Sequence, residues 1–230
     1  MKRGAVLCGI GLIAVAAAVA SIGVGYSLLG EAAYLTPGYN SNRAVSLTSS
    51  GYATYSAVDI AVPAGLKFSE LAHLEAEFMV TAGDCGGGSP RFQVNVAGKN
   101  VQVYLGPAPN FSNCVKNTWL STGDLIASPD LRFDTSQVGG KFYDNFAGAE
   151  AVVGNQVVTG IQLVVDGGWA VAGGTQTVVV DNIVVNDVTS TFEFTSKDDC
   201  KNGGWQNFVF APGPFKNQGQ CVSYFANGGK

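Results

Sequence analysis

Apolar and polar positions alternate with a period of two along most of the chain. Val58, Ile60 and Val62 alternate with Asp59 and Ala61, the pattern of a strand with one face buried. Leu74, Ala76, Phe78 and Val80 share one face of the next run, and Glu75, Glu77 and Met79 share the other. Residues 91–105 read as a hairpin. Phe92, Val94 and Val96 alternate with Gln93 and Asn95, Gly98-Lys99-Asn100 turns the chain, and Val101, Val103 and Leu105 return. Residues 155–166 and 175–186 are the strongest strands. Val178, Val179, Val180, Ile183, Val184 and Val185 are apolar on both faces, which predicts a central position. Residues 188–194 add another alternating run. Strands separated by Gly-rich turns, with no helical period between them, predict a mainly β fold, an antiparallel β-sandwich of jelly-roll type.

Three stretches break the alternation. Residues 31–50 are polar and turn-rich around Thr36-Pro37-Gly38-Tyr39-Asn40, and 21–50 read as a lead-in to a sandwich spanning 51–194. Residues 106–150 carry Pro107, Pro109 and Pro129 among aromatics, and read as long irregular loops of the kind that often hold function. Residues 195–230 read as a separate C-terminal motif of two short helices. Thr195-Ser196-Lys197-Asp198-Asp199 offers a cap with acids in the first turn, Gly203-Gly204 a stop, and 217–225 a second helix.

The composition agrees with sheets and turns. Of 230 residues 47% are hydrophobic and only 13% charged, against ~25% charged in ordinary globular domains. Lys2 and Arg3 precede an uncharged stretch from Gly4 to Gly30, and Ala18-Val19-Ala20 before Ser21 is a small-x-small cleavage pattern. Residues 1–20 are therefore expected to be a signal peptide. The apolar run continues to Leu29, long enough to serve instead as a retained anchor; both readings place the remainder outside the cytoplasm. Loss of the two positive charges Lys2 and Arg3 takes the net charge from −4 to −6. An acidic chain without a basic stripe argues against nucleic acid and against anionic membrane surfaces as partners.

Cys8 lies in the export segment, leaving Cys85, Cys114, Cys200 and Cys221. Four cysteines permit three connectivities. The local one, Cys85–Cys114 with Cys200–Cys221, brackets one Gly- and Asn-rich stretch per bridge, and an exported chain favours disulfides. No paired C-x2-C ligands point to zinc.

Little catalytic chemistry is legible. His73 is the only histidine, and no G-x-S-x-G elbow accompanies it. Glu75 and Glu77 lie two apart on one strand face, about 7 Å apart, which keeps a glycosidase pair in view beside the plain reading of a solvated face. Asp84, Asp134, Asp166 and Asp181 stand at strand ends beside Gly, Asn or Thr, where oxygen-rich loops can hold Ca²⁺ and Asx-turns account for the same residues without metal. No other cofactor is indicated. Trp119, Trp169, Tyr104, Tyr143 and Phe111 are candidate sugar-stacking rings, with core packing as the alternative.

Two motifs carry a resemblance. Gly83-Asp84-Cys85-Gly86-Gly87-Gly88-Ser89-Pro90-Arg91-Phe92 and the pair Cys200-Lys201-Asn202-Gly203-Gly204-Trp205 with Phe215-Lys216-Asn217-Gln218-Gly219-Gln220-Cys221-Val222-Ser223 resemble those of a group of secreted, functionally uncharacterised microbial β-sandwich proteins. The likeness runs from about residue 68 to the C-terminus and brings no activity with it. The Val180-Asp181-Asn182-Ile183 strand is more loosely similar to the closing strand of jelly-roll carbohydrate-binding modules. The expected function is a non-catalytic secreted or surface module that binds a glycan or another extracellular polymer. The alternatives are a structural or adhesive component that self-associates through strand edges, and third a polysaccharide hydrolase.

Overall fold

The computed structural model describes residues 25–51, 53–166 and 174–229. The candidate export segment and Trp169 lie outside these residues.

Among the described residues twelve strands form an antiparallel β-sandwich. In chain order they are β1 (Tyr26–Gly30), β2 (Ala33–Leu35), β3 (Ala44–Ser49), β4 (Tyr55–Ile60), β5 (Leu74–Ala82), β6 (Arg91–Val96), β7 (Lys99–Tyr104), β8 (Leu120–Ser121), β9 (Phe133–Asp134), β10 (Val158–Asp166), β11 (Gln176–Val185) and β12 (Val188–Ser190). One sheet has the order β1-β4-β10-β6-β7-β9 and the other β2-β3-β11-β5-β8, with β12 also on β11. Along the longer strands alternate residues face the opposite sheet. Val58 and Ile60, Phe92 and Val94, and Ile161 and Leu163 meet Val45 and Leu47, Ala76 and Phe78, and Val178 and Val180 in one continuous core. Each large side chain buried here contributes about 1.5–3 kcal/mol.

Residues 26–49, expected as a lead-in, instead supply three strands. Val45 and Leu47 are fully buried core, and β3 pairs with the central strand β11 from Val45↔Val180 to Ser49↔Gln176. The polar turn 36–43 between β2 and β3 masked this pattern, because the apolar runs beside it are short. β1 is pinned by Tyr26, whose ring meets the buried Phe192 edge-on at 4.9 Å. Among the described residues no helix is long and apolar enough to cross a membrane.

The irregular stretch 106–150 conceals the start of one helix, α1 (Phe146–Val153). Asn145 caps it by accepting from the Gly148 amide at 2.9 Å, and Ala149 and Val153 are its buried face. Phe146 stacks on Phe68 at 5.4 Å and lies 5.7 Å from Phe133, which closes one end of the sandwich.

Both expected disulfides are present. Cys85–Cys114 and Cys200–Cys221 have Cα separations of 5.4 and 5.7 Å. On the chain-entropy model each loop is stabilised by about 3–4 kcal/mol. The C-terminal motif holds three elements: a 3-10 turn at Lys197–Cys200, capped by Ser196, a second 3-10 turn at Gly204–Asn207 where a stop was expected, and α2 (Gln218–Ala226), capped by Asn217. Phe208, Phe215, Cys200 and Cys221 make a core of their own, separate from that of the sandwich.

Candidate functional site

The register of the first sheet determines its outer face. Gln102 on β7 is opposite Gln93 on β6 and Asp134 on β9. Gln93 is opposite Gln162 on β10, which is opposite Asp59 on β4, and Asp59 is opposite Ser27 on β1. One transverse row, Ser27–Asp59–Gln162–Gln93–Gln102–Asp134, therefore crosses all six strands with a polar residue at each step of ~4.8 Å. The row is partly self-bonded in one direction. Gln93 Nε2 donates to Gln162 Oε1 at 3.2 Å, and Gln162 Nε2 donates to Asp59 Oδ1 at 2.9 Å. Gln93 Nε2 also donates to Asn95 Oδ1 at 3.5 Å and its Oε1 accepts from Arg91 at 3.4 Å, whereas the Gln162 amide keeps a second N–H and a second lone pair.

At its β7–β9 end the row runs into a cleft of about 520 Å³, within the usual range for ligand sites. One wall is the loop Gly86–Pro90. Gly86, Gly87 and Gly88 all have positive φ (129°, 59° and 86°), a conformation that side chains other than glycine rarely adopt. A Cβ on Gly88 would point toward Gln102 Oε1 and the Tyr104 ring, at 3.7 and 3.9 Å. The loop is held from behind by fully buried Gln176, whose Oε1 accepts from Ser89 Oγ at 2.5 Å and whose Nε2 donates to the Ser89 carbonyl at 3.1 Å.

The other wall is aromatic. Tyr104, Phe111 and Tyr143 have ring centroids 5.7, 6.0 and 6.2 Å apart. Tyr104 and Phe111 are buried, whereas Tyr143 is 53% exposed and its neighbour Phe142 is 64% exposed. Gly106 lets the loop close on Phe111, since a Cβ there would lie 2.4 Å from the Phe111 carbonyl oxygen. The Tyr104 hydroxyl donates to Asp134 Oδ2 at 2.8 Å; burial and that bond hold its pKa well above the ordinary tyrosine value, so the phenol stays a neutral donor. Among the described residues none hydrogen-bonds the side-chain amides of Gln102, Asn110 and Gln137, which all line the cleft.

Three of the five ring candidates thus converge. Trp119 does not join them. It precedes β8 on the other sheet and packs half-buried against Tyr39 at 5.5 Å.

The four candidate calcium ligands do not form a ligand set. Asp84 Oδ1 accepts from the Cys85 and Cys114 amides, each at 2.8 Å. Asp166 pairs with Arg91 at 2.6 Å, and Asp134 takes the Ser136 amide and the Tyr104 hydroxyl. Asp181 takes Ser41 Oγ and the amides of Tyr39 and Asn182. Turns at strand ends account for Asp84, Asp134 and Asp166, whereas Asp181 lies inside β11 at its register shift against β5 and not at a strand end; no group of three or more His, Cys, Asp or Glu able to hold a metal occurs among the described residues. Glu75 is bound by His73 Nε2 at 2.8 Å and by Ser121 Oγ at 2.9 Å on the outer face of the second sheet. Neither Glu75 nor Glu77 lines the cleft.

Asp181 is fully buried, and burial raises its pKa above the ordinary 3.8 despite the donors around it, with Glu193 adding repulsion. A folded-state pKa above the unfolded one means that the folded state holds the proton longer. Asp181 therefore withdraws stability as pH rises from about 3.8 through its folded value. Asp181→Asn, which cannot ionise, is expected to gain stability relative to the parent over that rise. Urea denaturation of both proteins from about pH 4 to pH 7 measures it; a constant difference across the range would contradict the assignment.

No protein-family model matches the chain, and no curated protein does. Several solved structures overlay on part of it, among them two polysaccharide-related proteins. The family 11 carbohydrate-binding module of cellulosomal cellulase Lic26A-Cel5E of Clostridium thermocellum is 11% identical over 74% of this chain and 89% of that one, with a TM-score of 0.39. An exo-beta-agarase is 15% identical over 70% of this chain, which spans 23% of that chain, with a TM-score of 0.36.

The row across the first sheet and the unpartnered amides were not singled out in the sequence. Their only local signal is a polar residue at every second strand position, which any solvated face also has.

Proposed function

We propose that the protein is a non-catalytic extracellular module that binds a glycan in the cleft at the β7–β9 edge. The observation that carries this is the meeting of two complementary surfaces in one recess. Exposed Tyr143 and Phe142 stand beside amides that have no partner among the described residues. A sugar needs both: apolar C–H faces pack on rings, and hydroxyls, which donate and accept at once, match side-chain amides that do the same. Two disulfides and the cationic, apolar N-terminal sequence support an exported location.

Tyr143 and Trp119 test this side by side. Base–aromatic stacking is worth ~1–3 kcal/mol per ring in nucleic-acid complexes, and a sugar face is expected to give a similar order or less. Tyr143→Ala is expected to weaken polysaccharide binding about tenfold, with its melting temperature unchanged because the ring is exposed. Trp119→Ala is expected to do the reverse, lowering the melting temperature and leaving binding intact. Affinity electrophoresis and thermal melting of the two variants decide the matter. Loss of binding on Trp119→Ala with none on Tyr143→Ala would move the site to the other sheet.

A further inference from the structure

The aromatic wall has a second side. A further cleft of about 460 Å³, lined by Ala108, Pro109, Pro129, Asp130 and Leu131, shares Asn110, Phe111 and Tyr143 with the first. The two recesses are therefore neighbours, and the Phe111–Tyr143 pair is the ridge between them. The rings of that pair lie 27° from parallel with centroids 6.0 Å apart.

The charge around the ridge is settled within the protein. Arg91 is bound to Asp166 at 2.6 Å and donates to the Gly88 carbonyl at 2.7 Å. Arg132 is bound to Asp130 at 2.6 Å, donates to the Tyr104 carbonyl at 2.6 Å, and lies 5.1 Å above the Phe111 ring. Lys141 Nζ is 3.9 Å from Asp144. Sites for carboxylated or sulfated ligands present guanidinium forks or ammonium groups to the ligand. Here each nearby cation faces a carboxylate of the same chain. Asp134 lines the first cleft without a cationic partner, held by the neutral donors Tyr104 and Ser136, so an approaching anion meets negative charge. The groups left for a ligand are Gln102, Gln137, Asn110 and the rings.

Resting on the glycan reading above, we propose that the two clefts form one groove for an uncharged polysaccharide chain. Sugars occupy both sides of the Phe111–Tyr143 ridge, and carboxylated or sulfated chains are rejected. Both clefts are open, so the groove accepts the middle of a chain rather than only its end. Asn110, at the junction, can serve a hydroxyl on either side.

The test is affinity electrophoresis and titration calorimetry of the full chain. The neutral polymers are mixed-linkage β-glucan, xylan, galactomannan and agarose; the anionic ones are polygalacturonate, alginate and carrageenan. At least one neutral polymer is expected to retard the protein, with retardation unchanged up to about 0.5 M salt because no ion pair forms. A hexasaccharide of that polymer is expected to bind about tenfold or more tightly than its disaccharide. Leu131→Ala, in the second cleft only, is expected to weaken the hexasaccharide and leave the disaccharide unaffected. Binding confined to anionic polymers and lost in salt would overturn the ligand class and leave the glycan reading standing. Equal affinity for disaccharide and hexasaccharide would overturn the two-cleft groove. No retardation by any polymer would overturn both.

Discussion

Asn42→Leu is expected to release the C-terminal motif from the sandwich while each keeps its own fold. Asn42 is fully buried. Its Nδ2 donates to Glu193 Oε2 at 3.1 Å and to the Ala211 carbonyl at 2.8 Å, and its Oδ1 accepts from the Phe210 amide at 2.7 Å. Leucine has similar volume and satisfies none of the three. Each polar group left without a partner in a buried place costs about 1–3 kcal/mol, more when charged, so the intact junction is destabilised by about 3 kcal/mol or more. Separation lets water reach those groups and lowers that cost. The motif survives separation because Cys200–Cys221 and the Phe208–Phe215 core are internal to it. Arg43, whose guanidinium lies 3.9 Å over Tyr34 and 4.6 Å over Phe194, still tethers the junction. Hydrogen exchange measures the result: the junction amides of Asn42 and Phe210 should lose protection while those within α2, β10 and β11 keep theirs. Uniform loss over both parts, or no loss, would refute a separable motif.

That junction shows where local reading of a sequence stops. The partners of Asn42 are 151 to 169 residues away along the chain, and the turn in which it sits has the composition of any surface loop. The strands β5 to β7 were legible because one buried face forces alternation on each of them independently, and β10 and β11 because their near-continuous apolar runs suit strands inside a sheet. Local spacing of the cysteines likewise anticipated both bridges. α1 was hidden by its surroundings, although Phe146, Ala149 and Val153 keep the i, i+3, i+7 spacing of a helical face and Asn145 is a good cap. The cleft was half legible. Tyr104, Phe111 and Tyr143 stand out as aromatics in or beside a long loop, yet Trp119 has the same signature and packs elsewhere. The amide row was not legible, because it is a property of register between strands distant in sequence. Gln162 is beside Gln93 and Asp59 only because β10 lies between β6 and β4.

Gln176→Leu is expected to cost both stability and ligand binding, in contrast to variants on the open side of the cleft. Gln176 begins the central strand β11 but points to the end of the sandwich, where it is fully buried. Its amide holds both ends of the glycine wall, donating to the Asp84 and Ser89 carbonyls and accepting from Ser89 Oγ. Ser89 Oγ also takes the Asp166 amide at 3.4 Å, so the same contact ties the wall to β10. A leucine fills the space and removes one partner from each of three polar groups; the Ser89 carbonyl keeps the Gly86 amide and Ser89 Oγ the Asp166 amide, so the cost is about 1–3 kcal/mol. Three successive glycines with positive φ add little stiffness to the wall beyond its reciprocal Gly86–Ser89 backbone bonds; released from Gln176, that turn can move as a unit over Gln102 or away from it. Polysaccharide affinity should therefore fall about tenfold or more. Gln102→Ala removes a ligand-facing amide from the half-exposed outer face of β7, and should reduce affinity with the urea midpoint nearly unchanged. If Gln176→Leu lowers the midpoint but binds as the parent does, the glycine loop is not a wall of the binding site, and the ligand would have to rest on the Phe111–Tyr143 ridge alone.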